Sequence, residues 1–175
     1  MAVPVAGPLH ELAHLLAYYA VGVPEAVLHF NTVDGASPNH PGWALAVGAA
    51  GGPLMTLAIV GACVLGVRRV GPNPALVGMG LVAPFRTLVP AFWLVIHTLW
   101  GRANDANFDE LNVARALRWP PQPLMLLEIA IVATAIWWLV QAMPRQNLRL
   151  NVASLGLGGA LGIGLYWAVG PLLLP

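Results

Sequence analysis

The chain has 175 residues, of which 58% are hydrophobic and only 9% are charged, and its mean hydropathy is +0.74. A soluble domain carries about 25% charged residues, so this composition excludes an ordinary soluble domain, and it equally excludes a disordered chain. The net charge of +1 excludes the basic surface needed to bind nucleic acid, and the single cysteine excludes a disulfide framework. The composition therefore predicts a single-domain, all-α integral membrane protein that contacts the lipid bilayer.

Five apolar stretches have about the length that a membrane-spanning helix needs. The hydrocarbon core of a bilayer is about 30 Å thick, which corresponds to roughly 20 residues of α-helix. The predicted spans, in chain order, are Val3–Val23, Trp43–Val67, Ala75–Trp100, Pro123–Met143 and Val152–Leu174.

The connection after the first span, Pro24–Gly42, is polar and rich in turn-forming residues. Val27–Phe30 has the composition of a short strand, and Asp34-Gly35 has the chemistry of a tight turn. We therefore expect a short polar loop, in the form of a β-hairpin, between the first two spans.

The distribution of arginine predicts the orientation of the chain. If the five spans alternate in direction, four arginines fall on the side of the N-terminus and none in the Pro24–Gly42 loop: Arg68, Arg69, Arg145 and Arg149. The positive-inside rule then places the N-terminus in the cytoplasm. We expect the membrane to be a bacterial or archaeal cell membrane. The polar segment Gly101–Gln122 opposes this assignment with three further arginines, unless it folds back into the bundle.

The first span contains the sequence His10-Glu11-Leu12-Ala13-His14, which is an HExxH motif. Residues four apart share one face of a helix, so both imidazoles can bind one metal ion while Glu11 lies beside them. Ionisable residues within a membrane span are costly and are by default functional or paired. We therefore predict one zinc ion per chain, bound by His10 and His14, with Glu11 as the general base. The simpler alternative is a pair of core histidines that hydrogen-bond neighbouring helices.

Catalytic zinc takes three protein ligands and keeps an open position, so a third ligand must lie elsewhere in the chain. The helical periodicity of Asp109–Trp119, before Pro120-Pro121, places Asp109 in a first helical turn and makes it the preferred ligand. Asp105 is the alternative ligand, and both aspartates are also common helix N-caps. The remaining candidates carry carboxylate or imidazole groups: Glu110, Glu25, Asp34, His29, His40 and His97.

These residues resemble the site-2-protease family of intramembrane zinc metalloproteases, in a short and divergent bacterial form. The resemblance rests on the HExxH motif followed by Val21-Gly22-Val23, on Ala50-Gly51-Gly52-Pro53-Leu54, and on a downstream aspartate. It implies a peptidase that cleaves membrane proteins or peptides, with two histidines and one aspartate on zinc. The resemblance covers residues 1–121, which would form the core of a single domain at 1–175. The remaining two predicted spans, 123–143 and 152–174, would then be additions to that core. The chain departs from the family by lacking its usual Leu-Asp-Gly sequence.

Two further features bear on this interpretation. His10 lies near the middle of the membrane, so an aspartate that follows the third span must return into the bilayer, through a break at Pro84 or Pro90 or a re-entrant 101–118 segment. Arg86 and Glu128 lie in different predicted spans. They could form an ion pair between the spans, or Arg86 could face the active site and stabilise an oxyanion. We favour a third interpretation, in which both residues have a structural role or reach the membrane interface.

Two other classes of function are compatible with the sequence. A membrane scaffold or binding protein would retain the fold without activity, and stoichiometric zinc distinguishes it from a peptidase. A small proton-coupled transporter would use the histidines and Glu11 as a relay and would show pH-dependent flux without cleavage. The chain has no duplicated pair of interrupted helices, so the transporter ranks last.

Overall fold

A computed structural model describes residues 3–29, 31–34, 37, 39–100, 107–143, 156–162, 164–165 and 167–169. Six α-helices occur within residues 3–142: α1 Val3–Ala20, α2 Gly42–Val70, α3 Pro74–Val82, α4 Leu88–Trp100, α5 Asp109–Leu117 and α6 Pro121–Ala142. A 3₁₀ segment, Ala83–Thr87, joins α3 to α4, and two short strands lie between α1 and α2. The predicted predominance of helix is confirmed.

Three segments are long and apolar enough to cross a membrane: Gly42–Val70, Pro74–Leu99 and Pro121–Ala142. They correspond to the second, third and fourth predicted spans, so the expected number of five is not confirmed among the described residues. The first predicted span forms the 18-residue helix α1. The fifth, Val152–Leu174, lies partly outside the described residues, and its described part within 156–169 is helical.

Large apolar side chains face outward along the spanning helices. Leu54 and Leu65 in α2, and Leu126 and Leu127 in α6, are all more than half exposed. In water such surfaces would favour aggregation, whereas in a bilayer they meet lipid tails of similar polarity. Membrane integration accounts for this surface.

The third span is interrupted where the sequence allowed a break at Pro84 or Pro90. Pro84 has φ −80° and ψ 19°, outside helical geometry, and the chain there forms the 3₁₀ segment. Pro90 is the third residue of α4, where a missing N–H removes no intrahelical hydrogen bond. The break therefore lies at Pro84, and it determines where the following Arg86 points.

The predicted β-hairpin is present, but its turn is displaced from the predicted position. Strand β1, Val27–Leu28, pairs antiparallel with β2, Val33–Asp34, in the register Val27 opposite Asp34. The backbone N–H of His29 donates to the carbonyl of Thr32 at 2.9 Å, which closes the turn. The prediction that Asp34 forms the turn is wrong, because Asp34 is occupied in the strand pairing opposite Val27.

Helices α1 and α2 approach closely through small residues on α2. A Cβ atom added at Gly51 would lie 2.5 Å from the carbonyl oxygen of Ala13, and one added at Gly48 would overlap the Tyr18 ring. Only glycine permits this contact between the two backbones, as small residues do in membrane helix pairs generally. The close approach brings the α1 histidines directly against α2.

Helix α5 is short and packs on α2 rather than crossing the membrane. Val113 joins a buried cluster with Ala46 and Ala49 of α2. Helix α5 begins at Asp109, as the sequence predicted, and ends at Leu117, after which Arg118 adopts a left-handed conformation with φ 56°. This arrangement places the N-terminus of α5, with Asp109, beside the α1–α2 pair.

Truncating Leu139 tests the packing of α6. Leu139 is fully buried with Val67, Val77 and Met143, so Leu139→Ala leaves a cavity and should lower the free energy of unfolding by about 2–5 kcal/mol. Leu126→Ala, at a position 56% exposed on the same helix, is the matched control and should cost far less. Thermal unfolding in detergent measures both, and equal losses would contradict the packing described.

Candidate metal centre

His10 and His14 lie one helical turn apart on the buried face of α1. They are 3% and 4% exposed, and their Nε2 atoms are 3.1 Å apart. This separation is within hydrogen-bonding distance, and when neither Nε2 carries a proton it also lets both lone pairs face one position. The pair therefore presents two nitrogen donors to a single point.

Asp109 completes the group from the first turn of α5. Its Oδ2 atom is 2.9 Å from His10 Nε2, and its Oδ1 atom is 3.3 Å from His14 Nε2. Burial raises the pKa of Asp109, but hydrogen bonds with His10 and His14 outweigh this effect and hold that pKa well below its ordinary value. The carboxylate is therefore ionised and available as an oxygen ligand.

The separations of these atoms fit a small tetrahedral metal ion. Zinc bonds to nitrogen and oxygen are about 2.0–2.1 Å long, so neighbouring ligand atoms of a tetrahedral site lie about 3.3 Å apart. The two Nε2 atoms are 3.1 Å apart, and each lies near a different oxygen of Asp109, at 2.9 Å for His10 and 3.3 Å for His14. With one ligand atom taken from each residue, the three atoms lie within 4.8 Å of one another. His10, His14 and Asp109 can therefore hold a metal ion in common, and two imidazoles with one carboxylate suit a divalent transition metal, zinc among them.

One face of α2 supports both imidazoles. Gly48, Gly52 and Thr56 follow each other at intervals of four residues and so share a helix face. The Nδ1 atom of His14 donates to the carbonyl of Gly48 at 2.8 Å, and Nδ1 of His10 lies 2.9 Å from the Thr56 hydroxyl. These contacts engage the Nδ1 atoms and turn both Nε2 atoms toward Asp109, which is the usual function of groups behind metal ligands.

Gly52 lies behind the Nε2 atoms themselves. A Cβ atom at this position would come within 2.2 Å of His14 Nε2 and 2.3 Å of His10 Nε2. Any side chain there would displace the imidazoles from their present positions. In the sequence, Gly52 stood out only as part of Ala50-Gly51-Gly52-Pro53-Leu54, and the support from Gly48, Gly52 and Thr56 was missed; their four-residue spacing was the available signal.

Glu11, between the two histidines, is 1% exposed and forms an ion pair with Arg86. An ion pair of Arg86 with Glu128, one of the alternatives left open by the sequence, is absent from the described residues. Glu128 instead accepts a hydrogen bond from the Thr87 hydroxyl at 2.7 Å. The 3₁₀ geometry after Pro84 explains the difference, because it turns Arg86 toward α1 while the adjacent Thr87 faces α6.

Glu110 lies behind Asp109 and is buried close to Glu128. Burial and the neighbouring Glu128 carboxylate raise the pKa of Glu110. Glu110 is therefore protonated at neutral pH, and the pair links α5 to α6 without placing two charges side by side. This arrangement holds Glu110 away from the metal-binding group, although it follows Asp109 directly.

Two cavities border the histidines, one at His10 and one at His14, and both are lined by Arg86 and Asn31. An apolar cavity of about 220 Å³ lies between α1 and the broken third span, and it is lined by Ala6, His10, Val82, Phe85 and Val89 among others. A polar cavity of about 320 Å³ lies on the other side and is lined by Glu11, His14, Asp109, Asn107 and Asn112 among others. The possible metal-binding group of His10, His14 and Asp109 thus borders both an apolar and a polar cavity.

The other candidate ligands lie elsewhere. His40 pairs with Glu25 in the loop, His29 is 3.9 Å from Asp34 at the hairpin, and the His97 ring stacks on Trp93 at 4.6 Å. Asp105, the alternative third ligand, lies outside the described residues. Among the described residues, Asp109 is the one carboxylate outside α1 that joins His10 and His14 in a possible metal-binding group.

Comparison of the chain with protein-family models, with curated proteins and with solved structures finds no match. The case for function therefore depends on the geometry of the site.

Substitution of Gly52 tests the support behind the histidines. Gly52→Ala places a methyl group against both Nε2 atoms, so zinc affinity should fall by roughly a hundredfold or more. Gly61→Ala on the same helix is the matched control, because a Cβ there meets nothing within 4 Å, and it should leave zinc affinity unchanged. Competition with a chromogenic chelator measures both affinities, and a Gly52→Ala protein that binds zinc normally would contradict the geometry described.

Proposed function

We propose that this protein is an intramembrane zinc metallopeptidase that hydrolyses peptide bonds of membrane proteins. The observation that carries the proposal is the convergence of His10, His14 and Asp109 with an adjacent buried carboxylate, Glu11. Two histidines and a carboxylate would hold zinc with three protein ligands, the number found in catalytic zinc sites. The membrane-spanning helices around this group support its location within the bilayer.

His10, His14 and Asp109 are the residues that hold the metal in this proposal. Bound zinc supplies a Lewis acid that lowers the pKa of water to about 7. Glu11 lies next to both histidines in the chain and lines the polar cavity, so it can take the proton from an attacking water. After the tetrahedral intermediate forms, Glu11 returns that proton to the nitrogen of the leaving amine.

The two cavities differ in polarity, which supports separate routes to the site for water and for the substrate. The polar cavity, which Asn107, Asp109 and Asn112 line, admits water to Glu11. The apolar cavity borders His10 and is bounded by Val82, Phe85 and Val89, which suit the side chains of an unwound membrane segment. A peptide that lies across the junction of the two cavities brings its backbone beside Glu11.

The metal content tests the ligand set. The wild-type protein should hold one zinc ion per chain, Asp109→Ala should lose it, and Asp105→Ala should retain it. Elemental analysis of the three purified proteins in detergent measures the stoichiometry. If the wild-type protein holds no zinc, the proposal is contradicted and a scaffold or a transporter is favoured. If only Asp105→Ala loses zinc, the third ligand is Asp105 and not Asp109.

Replacement of Glu11 tests the reaction. Glu11→Gln keeps the shape of the side chain but removes the base, so cleavage should fall at least roughly a hundredfold while zinc stays bound. Glu25→Gln is the control, because Glu25 is a carboxylate in the exposed loop that pairs with His40. Cleavage is followed on a panel of fluorescently labelled single-span membrane proteins in proteoliposomes. Unchanged cleavage by Glu11→Gln would refute the role of Glu11, and proton-coupled flux without cleavage would favour the transporter.

A further inference from the structure

Arg86 lies beside the proposed metal centre, with Nη2 3.9 Å from Asp109 Oδ2, and its position follows from the break in the third span. Pro84 departs from helical geometry two residues earlier, and the 3₁₀ segment directs Arg86 toward α1. A charged side chain in an apolar segment is costly and is kept where it has a specific partner or function. The partner here is Glu11, the proposed general base.

The two terminal nitrogens of the Arg86 guanidinium group differ in their hydrogen-bond partners. Nη1 donates to Glu11 Oε1. Nη2 lies 3.9 Å from Asp109 Oδ2, which is beyond hydrogen-bonding distance, and within the described part of the chain it makes no hydrogen bond. A planar guanidinium has its donors in a fixed fork, so Nη2 keeps its direction while Nη1 is held. Nη2 is therefore an oriented donor available to a ligand.

Arg86 also lies where the two cavities meet. It lines the apolar cavity together with His10, and it lines the polar cavity together with Glu11 and Asp109. Its side chain is 38% exposed, so a molecule in either cavity can reach it. The junction thus places one hydrogen-bond donor, one base and the proposed metal ligands around the same space.

We propose that Arg86 is a catalytic residue whose Nη2 atom binds the carbonyl oxygen of the scissile peptide. This inference rests on the proposed function and assigns Arg86 the stabilisation of charge in that reaction. The oxygen of water forms a bond to the carbonyl carbon, the π electron pair moves onto the carbonyl oxygen, and the water proton passes to Glu11. Arg86 stays protonated and donates to the resulting oxyanion. The C–N bond then breaks as the proton moves from Glu11 to the leaving nitrogen.

A purely structural role for Arg86 makes a different prediction. If Arg86 only neutralises Glu11 and Asp109, its loss disturbs the metal centre and lowers zinc content or stability. If it binds the carbonyl, its loss leaves zinc in place and slows the chemical step. A donor that acts mainly in the transition state affects kcat more than KM.

The test compares Arg86→Gln and Arg86→Lys with Arg69→Gln, a control that removes the same charge from an exposed position at the end of α2. The assay uses the single-span protein that the wild type cleaves fastest. Arg86→Gln should lower kcat by about 10²- to 10³-fold, as the loss of one oxyanion donor does, with KM changed less than about threefold. Arg86→Lys should recover part of that loss, and Arg69→Gln should match the wild type.

Two measurements do not depend on turnover. Zinc content should stay at one ion per chain in all three variants. Isothermal titration with a peptidyl phosphinate, whose tetrahedral anion resembles the intermediate, should show a loss of affinity in Arg86→Gln of similar size to the loss in kcat. Thermal unfolding verifies that each variant is folded, and Arg86→Lys provides the test if Arg86→Gln does not fold.

The outcomes separate this inference from the proposed function. Normal cleavage and normal phosphinate affinity in a zinc-loaded Arg86→Gln protein would overturn the inference and leave the peptidase intact. Loss of zinc from both Arg86 variants would also overturn it, because Arg86 would then act through the metal ligands. If the wild-type protein neither binds zinc nor cleaves any substrate, the proposed function is wrong, and the inference about Arg86 is then wrong as well.

Discussion

The close approach of α1 and α2 is the contact on which the rest of the site depends. An α-helix that carries two imidazoles and a carboxylate has a strongly polar face, and such a face is costly in an apolar interior unless each group is satisfied. Glycines on α2 let the backbones meet, so that the carbonyl of Gly48 and the hydroxyl of Thr56 reach the Nδ1 atoms. With larger residues at these positions, the imidazoles would lose both their partners and their orientation.

Each charged or acidic side chain around the site has a partner that neutralises it or hydrogen-bonds to it. Glu11 is paired with Arg86, Asp109 is hydrogen-bonded by two histidines, and Glu128 accepts from Thr87 beside the protonated Glu110. Each of these groups comes from a different part of the chain, and the break at Pro84 supplies both Arg86 and Thr87. The irregular segment in the third span is therefore a part of the site, since a continuous helix would present these two side chains differently.

Much of this arrangement was predictable from local sequence. The HExxH motif fixed His10, Glu11 and His14 on one helix, and the periodicity after residue 108 placed Asp109 at a helix start. Apolar length located α2, the third span and α6. These features depend on neighbours within a few turns, which is the range over which sequence patterns are informative.

The features that sequence did not yield depend on contacts between distant segments. The partner of Arg86 follows from the backbone angles at Pro84, which the residue type alone does not fix. The turn of the hairpin was misplaced because Asp34 suits both a turn and an exposed strand position opposite Val27. The support from Gly48, Gly52 and Thr56 required knowing that α2 faces α1, although their spacing already placed them together.

The separation of the three donor groups along the chain has a consequence for how the protein matures. His10 and Asp109 are 99 positions apart, with two membrane-crossing segments between them. Closing a loop of that length costs conformational entropy, and the contact cannot form before α5 has been synthesised. A nascent chain that ends before Asp109 has both imidazoles but lacks the acid that joins them. The ligand set is thus complete only after both intervening membrane-crossing segments have been synthesised.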